Sequence, residues 1–240
     1  MTTINDILAA TKHRPFDYPT GNWTYYQEWN NALFLHWKVP VDALRKLVPL
    51  ALTLDTFYGN AYVSLVAFTM QKIRLRNLPP IKFVSEFDEI NIRTYIDNDN
   101  RKGVYFLSIE AQNPLSVFIA KALSGLPYRK SNIHRTAGNC KSVNLQNGFH
   151  LDTEFEVKKV LGQKAELDNW LTERYCLYHD KAPEVIFRYD IHHKEWEIKD
   201  VHIKRLNLDY RIGDVNLTNE PDSVHYSEGV KVLAWKRTKI

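Results

Sequence analysis

Apolar and polar residues alternate with a period of two through much of this chain. The cleanest run is Phe87 to Ile96, with Ile90, Ile92, Thr94 and Ile96 on one face and Phe87, Glu89, Asn91, Arg93 and Tyr95 on the other. Asp97 to Gly103 is dense in turn formers, and Val104 to Ala111 reads as the returning strand of a hairpin. Upstream, Ala32 to Val39 predicts a strand. Pro40 to Val48 predicts a short helix, because proline suits a first turn and Val41, Leu44, Leu47 and Val48 share a helical face, with Pro49 ending it. Leu52 to Phe57 and Ala61 to Leu75 flank Tyr58-Gly59-Asn60, which predicts a second hairpin, and Arg76 to Pro80 reads as its exit loop. Ala61 to Met70 is apolar on both faces, the mark of a strand covered on both sides.

Beyond the central hairpin, Pro114 opens a predicted helix with Leu115, Phe118, Ile119, Ala122 and Leu123 on one stripe and Gly125 placed to end it. Strands are predicted at Phe149 to Val160, Val185 to Ile191, Trp196 to Ile203 and Val230 to Lys236, with a helix at Glu166 to Tyr175. No repeat, low-complexity tract or Gly/Ser linker divides the sequence, so residues 1–240 read as one domain. Many strands in succession with inserted helices point to an α+β fold with a curved antiparallel sheet or barrel, not a doubly wound parallel one.

Composition narrows the function classes. The chain is 44% hydrophobic and 25% charged, outside the regime of disorder, and its net charge of +4 is too mild to mark a nucleic-acid binder. Aromatic residues form 12% of it, which suits strands and pocket walls. Cys140 and Cys176 make no disulfide framework or paired metal spacing, which favours a reducing, cytoplasmic setting. The apolar cluster Ile7 to Ala10 is shorter than a signal-peptide core, and no window nears the roughly 20 apolar residues of a membrane-spanning helix. A soluble protein with no nucleic-acid or membrane partner is expected; a homo-oligomer stays open.

The sharpest chemical feature is the strand face bearing Glu89, Asn91 and Arg93 between two rings. Facing a cavity, a carboxylate and a guanidinium two positions apart can bind and polarise a small oxygenated ligand. Facing solvent, they are a modest ion pair on a half-buried strand. The nine histidines form no HExxH or similar metal spacing, and His192-His193 point to opposite faces of any strand, so no metal is expected. His36 lies opposite the Leu33, Leu35 and Trp37 face, where a hydrogen-bonded structural role competes with a catalytic one. There is no GxSxG, phosphate loop or GxGxxG, which argues against hydrolase and nucleotide-dependent classes and implies no cofactor. The basic tail Lys236-Arg237-Thr238-Lys239 reads as solvated.

Six ordered segments carry a resemblance: Asn31 to Trp37, Phe87 to Tyr95, Gly103 to Ser108, Leu126-Pro127-Tyr128, Leu171 to Tyr175 and His225-Tyr226-Ser227. Together they resemble the YqjF-like family, a domain of unknown function in the acetoacetate decarboxylase-like superfamily, over about Trp29 to Trp235. The resemblance implies a cone-shaped, mostly antiparallel β-barrel with a central cavity and a few inserted helices, and no established activity. In the decarboxylases a lysine after a Gly-aromatic-Pro step forms a Schiff base. After the similar step Gly125-Leu126-Pro127, this chain carries Tyr128 and Arg129, with Lys130 displaced by two positions. Glu89 matches the pocket glutamate, while Asn30 or Asn31 stands in place of an arginine near the first strand.

The implied site therefore gathers Glu89 and Tyr128 as candidate catalytic groups and Arg93, Arg129 and His36 as candidate ligand contacts. A phenol beside Arg129 could donate to an enolate, or act as an acid if the cation lowered its pKa. Three readings follow. One is a barrel binding a small keto or carboxylic acid; another is an imine-independent enzyme for enolisation, decarboxylation or hydration with Glu89 as acid/base; the last is an interaction or structural protein whose polar strand face is surface.

Overall fold

The structure, a computed structural model, describes residues 2–81, 85–112, 126, 128–182 and 185–240. The helix expected from Pro114 lies outside the described residues. Among those described, three short helices accompany fourteen strands in one sheet. The strands are β1 (Tyr25–Val39), β2 (Ala61–Leu75), β3 (Phe87–Asn98), β4 (Arg101–Ala111), β5 (Tyr128–Lys130), β6 (Asn132–Thr136) and β7 (Asn139–Asn144). They continue as β8 (Phe149–Val160), β9 (Cys176–Ala182), β10 (Val185–His192), β11 (Lys199–Ile212), β12 (Val215–Leu217), β13 (Ser223–Ala234) and β14 (Thr238–Lys239). The helices are α1 (Ile4–Ala9), α2 (Val41–Arg45) and α3 (Glu166–Thr172).

Pairing runs β10-β9-β4-β3-β2-β1-β13, and β10 pairs β13 as well, so hydrogen bonding returns to its starting strand. Every seam in this ring is antiparallel except β4 with β9, where Val104 meets Leu177 and Tyr105 meets Tyr178. Gly103 makes that seam possible: a Cβ there would lie 2.4 Å from the Cys176 carbonyl oxygen. Beyond the ring, β5 pairs with β4 and β14 with β10, while β6 to β8, β11 and β12 pack over the other face of β1 to β3. As a result β2 is covered on both sides, with Val66 and Phe68 facing one core and Leu65 and Ala67 the other.

The central hairpin forms as the pattern predicts, with a tighter turn. Asp99 and Asn100 take φ of 54° and 60°, the two left-handed residues of a type I′ connection, so pairing continues to Asn98 and Arg101. The other predicted hairpin closes only at its turn, where Phe57 and Asn60 pair across Tyr58 and Gly59. Residues 52–57 are a loop tied to β3 by Asp55 N–H to Tyr95 O and Asp97 N–H to Thr53 O, and β2 pairs with β1 and β3 instead. The helix expected over Pro40 to Val48 is helical only at Val41–Arg45, and that expected to reach Tyr175 ends at Thr172.

Strand β1 starts seven residues before the predicted Ala32, because a bulge at Asn30 and Asn31 joins two half-strands. Asn31 takes φ 54°, and Gly229, the partner of the adjacent Asn30, has at φ +133° no room for a Cβ against the Trp29 carbonyl. The bulge switches parity: Tyr25 and Trp29 before it and Ala32 and Phe34 after it all reach the same core. Strand β11 begins later than expected, at Lys199, and runs on to Ile212 through a similar irregularity between Ile203 and Arg205. Strand β13 begins earlier than expected, at Ser223, and ends at Ala234. No helix among the described residues is long and apolar enough to cross a membrane.

Candidate functional site

A cavity of about 330 Å³ lies against the ring strands, walled chiefly by Phe34, Phe68, Phe106, Trp29, Trp196 and Met70. It reaches solvent past Leu75, Leu78 and Ile81, which line it and are themselves exposed. Its polar groups gather on β3 and β5, and cross-strand register explains why. Phe34, Val66, Asn91, Ile109 and Tyr128 form one row across five strands, and Phe68, Glu89 and Ala111 form the next. Partners in register share a face, so the parallel pairing of β5 with β4 carries Tyr128 to the glutamate.

The face bearing Glu89, Asn91 and Arg93 is thus buried: the three residues are 3%, 4% and 7% exposed. Its reading as solvated surface falls. Tyr128 Oη donates to Glu89 Oε2 at 2.8 Å, and Asn91 Nδ2 donates to Oε1 at 3.2 Å. Burial pushes the Glu89 carboxyl up to about 7, against the opposing pull of the Tyr128 and Asn91 hydrogen bonds and the Arg93 charge. The Tyr128 phenol is pushed well above its ordinary range by burial and by the Glu89 charge. Arg93 lies 5.6 Å from the Phe34 ring centroid and is held below its usual range by burial.

Three polar atoms of lining residues have no hydrogen-bond partner: Asn91 Oδ1, Arg93 Nε and Ser85 Oγ. A buried donor or acceptor left unmade costs about 1–3 kcal/mol, so these atoms mark where a ligand would gain most. The set offers one strong donor, one acceptor and one hydroxyl beside a carboxyl that titrates near neutrality.

Two sequence-predicted residues lie elsewhere. Arg129 is exposed, with its guanidinium donating to Asn147 Oδ1, and burial and the Glu89 carboxyl, not this cation, set the direction in which the Tyr128 phenol moves. Alternation along β5 sends consecutive side chains to opposite faces. His36 is fully buried but does not line the cavity. Lys130 is exposed, and among the described residues no lysine lines the cavity. Asn30 donates to Gln71 Oε1 and Asn31 accepts from Tyr226 Oη, both outside the lining.

His36 instead joins a second buried network. Its Nδ1 lies 2.6 Å from Ser64 Oγ and its Nε2 3.1 Å from His225 Nδ1, while His225 Nε2 lies 2.9 Å from Asp168 Oδ1 on α3. Neutral imidazoles satisfy the chain in one direction: His225 Nε2–H donates to Asp168, His36 Nε2–H to His225, and the Ser64 hydroxyl to His36. Burial, then the neighbouring imidazole and Arg93, hold His36 well below its ordinary pKa; burial also lowers His225 against the pull of Asp168. Asp168 Oδ2 also accepts from Ala165 N–H, fixing the start of α3. Among the described residues no group of three or more His, Cys, Asp or Glu is arranged to hold a metal ion.

The hydrophobic pattern of the sequence does not single out Ser85 or the wall residues Trp29, Phe68 and Trp196. The parity switch at Asn30-Asn31 was the available signal for Trp29.

Solved structures place this architecture among acetoacetate decarboxylase-like folds. One neighbour is the enduracididine biosynthesis enzyme MppR complexed with pyruvate, at TM-score 0.64 and 12% identity over 90% of each chain. Another is acetoacetate decarboxylase, at TM-score 0.61 and 15% identity over 100% of this chain and 98% of the other. A third is an acetoacetate decarboxylase-like enzyme from Sphingomonas wittichii RW1, at TM-score 0.58 and 12% identity over 92% and 94%. The chain belongs to the DUF2071 family, described as an uncharacterized conserved protein, whose pattern matches residues 26–231. It is 32% identical over 230 residues to the uncharacterized protein YqjF of Bacillus subtilis (strain 168), covering 92% of this chain and 94% of that one.

Proposed function

We propose that the cavity binds a small keto or carboxylic acid, with the ring of strands acting as a closed barrel around it. The observation that carries this reading is the set of unpartnered buried atoms, Asn91 Oδ1, Arg93 Nε and Ser85 Oγ, in a largely apolar space of about 330 Å³. Arg93 Nε supplies a charge-assisted donor for a carboxylate or carbonyl oxygen. Asn91 Oδ1 calls for a donor in return, such as an enol, a hydroxyl or a protonated acid. That the structural neighbour MppR is described with pyruvate bound supports the same ligand class.

The test is titration of a keto-acid panel, from pyruvate to eight-carbon 2-oxo acids, followed by tryptophan fluorescence. Saturable binding that Arg93→Met weakens 10- to 100-fold supports the reading. No binding across the panel, or equal binding by the variant, overturns it.

A second reading, enolisation without an imine, is favoured by the Glu89 carboxyl near 7 in contact with Tyr128. Here Glu89 takes the α-proton and Arg93 carries the developing negative charge. The measurement is α-deuterium exchange of a bound keto acid by NMR. Exchange lost in Glu89→Gln with binding kept supports catalysis, and absence of exchange in the native protein removes it. Borohydride is expected to trap no adduct.

A further inference from the structure

Beside the cavity runs a groove of about 750 Å³, between the 19–24 segment, the 75–78 turn after β2 and the 235–238 segment after β13. Leu75 and Leu78 line both spaces, so groove and cavity adjoin at that apolar rim. Four cations line the groove, Arg76, Arg101, Arg188 and Lys236, against one carboxylate, Asp190, among its described lining. Asp190 is buried and engages two of them, Arg101 Nη1 at 3.2 Å and Arg188 Nε at 3.1 Å. Arg76 and Lys236 are exposed and form no ion pair with a carboxylate among the described residues; the Arg76 guanidinium carbon lies 5.5 Å from the Trp23 ring centroid, beside the groove.

We infer that the groove takes an anionic phosphate-bearing extension of the ligand whose apolar part enters the cavity. The inference rests on the cavity reading above and deepens it by naming a ligand with two parts. Cavity and groove differ in the way such a molecule differs along its length: the cavity is largely aromatic and aliphatic outside its polar patch, while the groove carries two cations engaged by Asp190 and two, Arg76 and Lys236, with no carboxylate partner among the described residues. Phosphate oxygens are suited to Arg76 and Lys236, since a dianion brings a second negative charge and a third acceptor oxygen that a carboxylate lacks. The basic residues at the end of the chain, unremarkable as a sequence motif, thereby gain a role through Lys236. Two sources share this chemistry, a short alkyl phosphate and an acyl thioester of coenzyme A.

The experiment compares octanoic acid, octyl phosphate and octanoyl-coenzyme A as probes of the full chain, read by tryptophan fluorescence at low and high salt. At least one phosphate-bearing probe is expected to bind tenfold or more tighter than octanoic acid, and which one does so identifies the source. The advantage should vanish in Arg76→Glu with Lys236→Glu, shrink in Lys236→Glu alone, and fall as salt rises, with octanoic acid unaffected throughout. Equal affinity for all three probes, or an advantage that survives the double variant, overturns the groove and leaves the cavity reading intact. If neither these probes nor the keto acids bind, the cavity reading falls and the groove falls with it.

Discussion

Two buried polar networks share the same strands and differ in one respect. His36, Ser64 and Arg93 form a single register row across β1, β2 and β3, so the histidine chain and the cavity patch are neighbours. In the histidine chain each imidazole nitrogen has a partner: Asp168, His225, His36 and Ser64 pass hydrogen bonds from α3 into the sheet. In the cavity patch Asn91, Arg93 and Ser85 each keep an atom unmatched. A network closed on itself fixes a structure and asks nothing of a ligand. A network with open valences, held on rigid strands, is what a binding site looks like before it is filled.

The largest expected effect is on the closed side. His36→Ala removes a fully buried ring and leaves Ser64 and His225 short of a partner, so unfolding in urea should show a loss of about 4 kcal/mol. Unchanged stability together with lost keto-acid binding would reverse the roles assigned to the two networks.

Next comes Glu89, whose folded pKa of about 7 exceeds its ordinary 4.5. The folded state then holds its proton more tightly, so this group's contribution is full below about pH 4.5 and declines as pH rises to 7, by about 3 kcal/mol in all. The difference in stability between native protein and Glu89→Gln should follow that slope. The histidines run the opposite way. His36 and His225 lie below their ordinary 6.5 when folded, so their contribution is full above 6.5 and is lost as pH falls below it. Parallel pH curves for native protein and Glu89→Gln would remove the buried carboxyl from this account.

Arg93→Met should cost 10- to 100-fold in keto-acid affinity while changing stability by less than about 1 kcal/mol, because the unpartnered Nε leaves with the charge. A large loss of stability would move Arg93 into the closed network. The smallest effect is expected of Asp168→Asn, at the wetter end of the chain. It should lower stability by about 1 kcal/mol through the weaker acceptor for His225 and leave affinity unchanged. Calorimetric melting with parallel titration reads both quantities.

How much of this was legible in the sequence depends on parity. Phe149 to Val160 forms β8 with the predicted ends because Phe149, Leu151, Thr153, Phe155 and Val157 hold one face, and β3 reads as well for the same reason. Strand β1 carries its cavity residues at odd positions through Trp29 and at even ones from Ala32, so a period-two pattern saw only its second half. In β11 the switch after Ile203 hid Leu206, Leu208 and Tyr210 in the same way. Strands β5 to β7 and β12 are three to six residues long, too short to register a period. Glu89 and Arg93 were readable from the strand, whereas Tyr128 was readable only by resemblance and Ser85 by neither. The direction of Arg129 followed from alternation along a strand that the pattern did not reveal.

The pairing of β1 with β13 sets a schedule for the newborn chain. Strand β1 is complete at Val39, yet its partner starts only at Ser223. At a synthesis rate of roughly 5–20 residues per second, that edge waits on the order of 10 to 40 s, with Phe34 and its neighbours bare on one side. The Asn30-Asn31 bulge, an irregularity of the pairing with β2, bends the strand that carries the waiting edge. A bent edge is a poor template for another chain. The irregularity that concealed β1 from the sequence pattern thus also guards it on the ribosome.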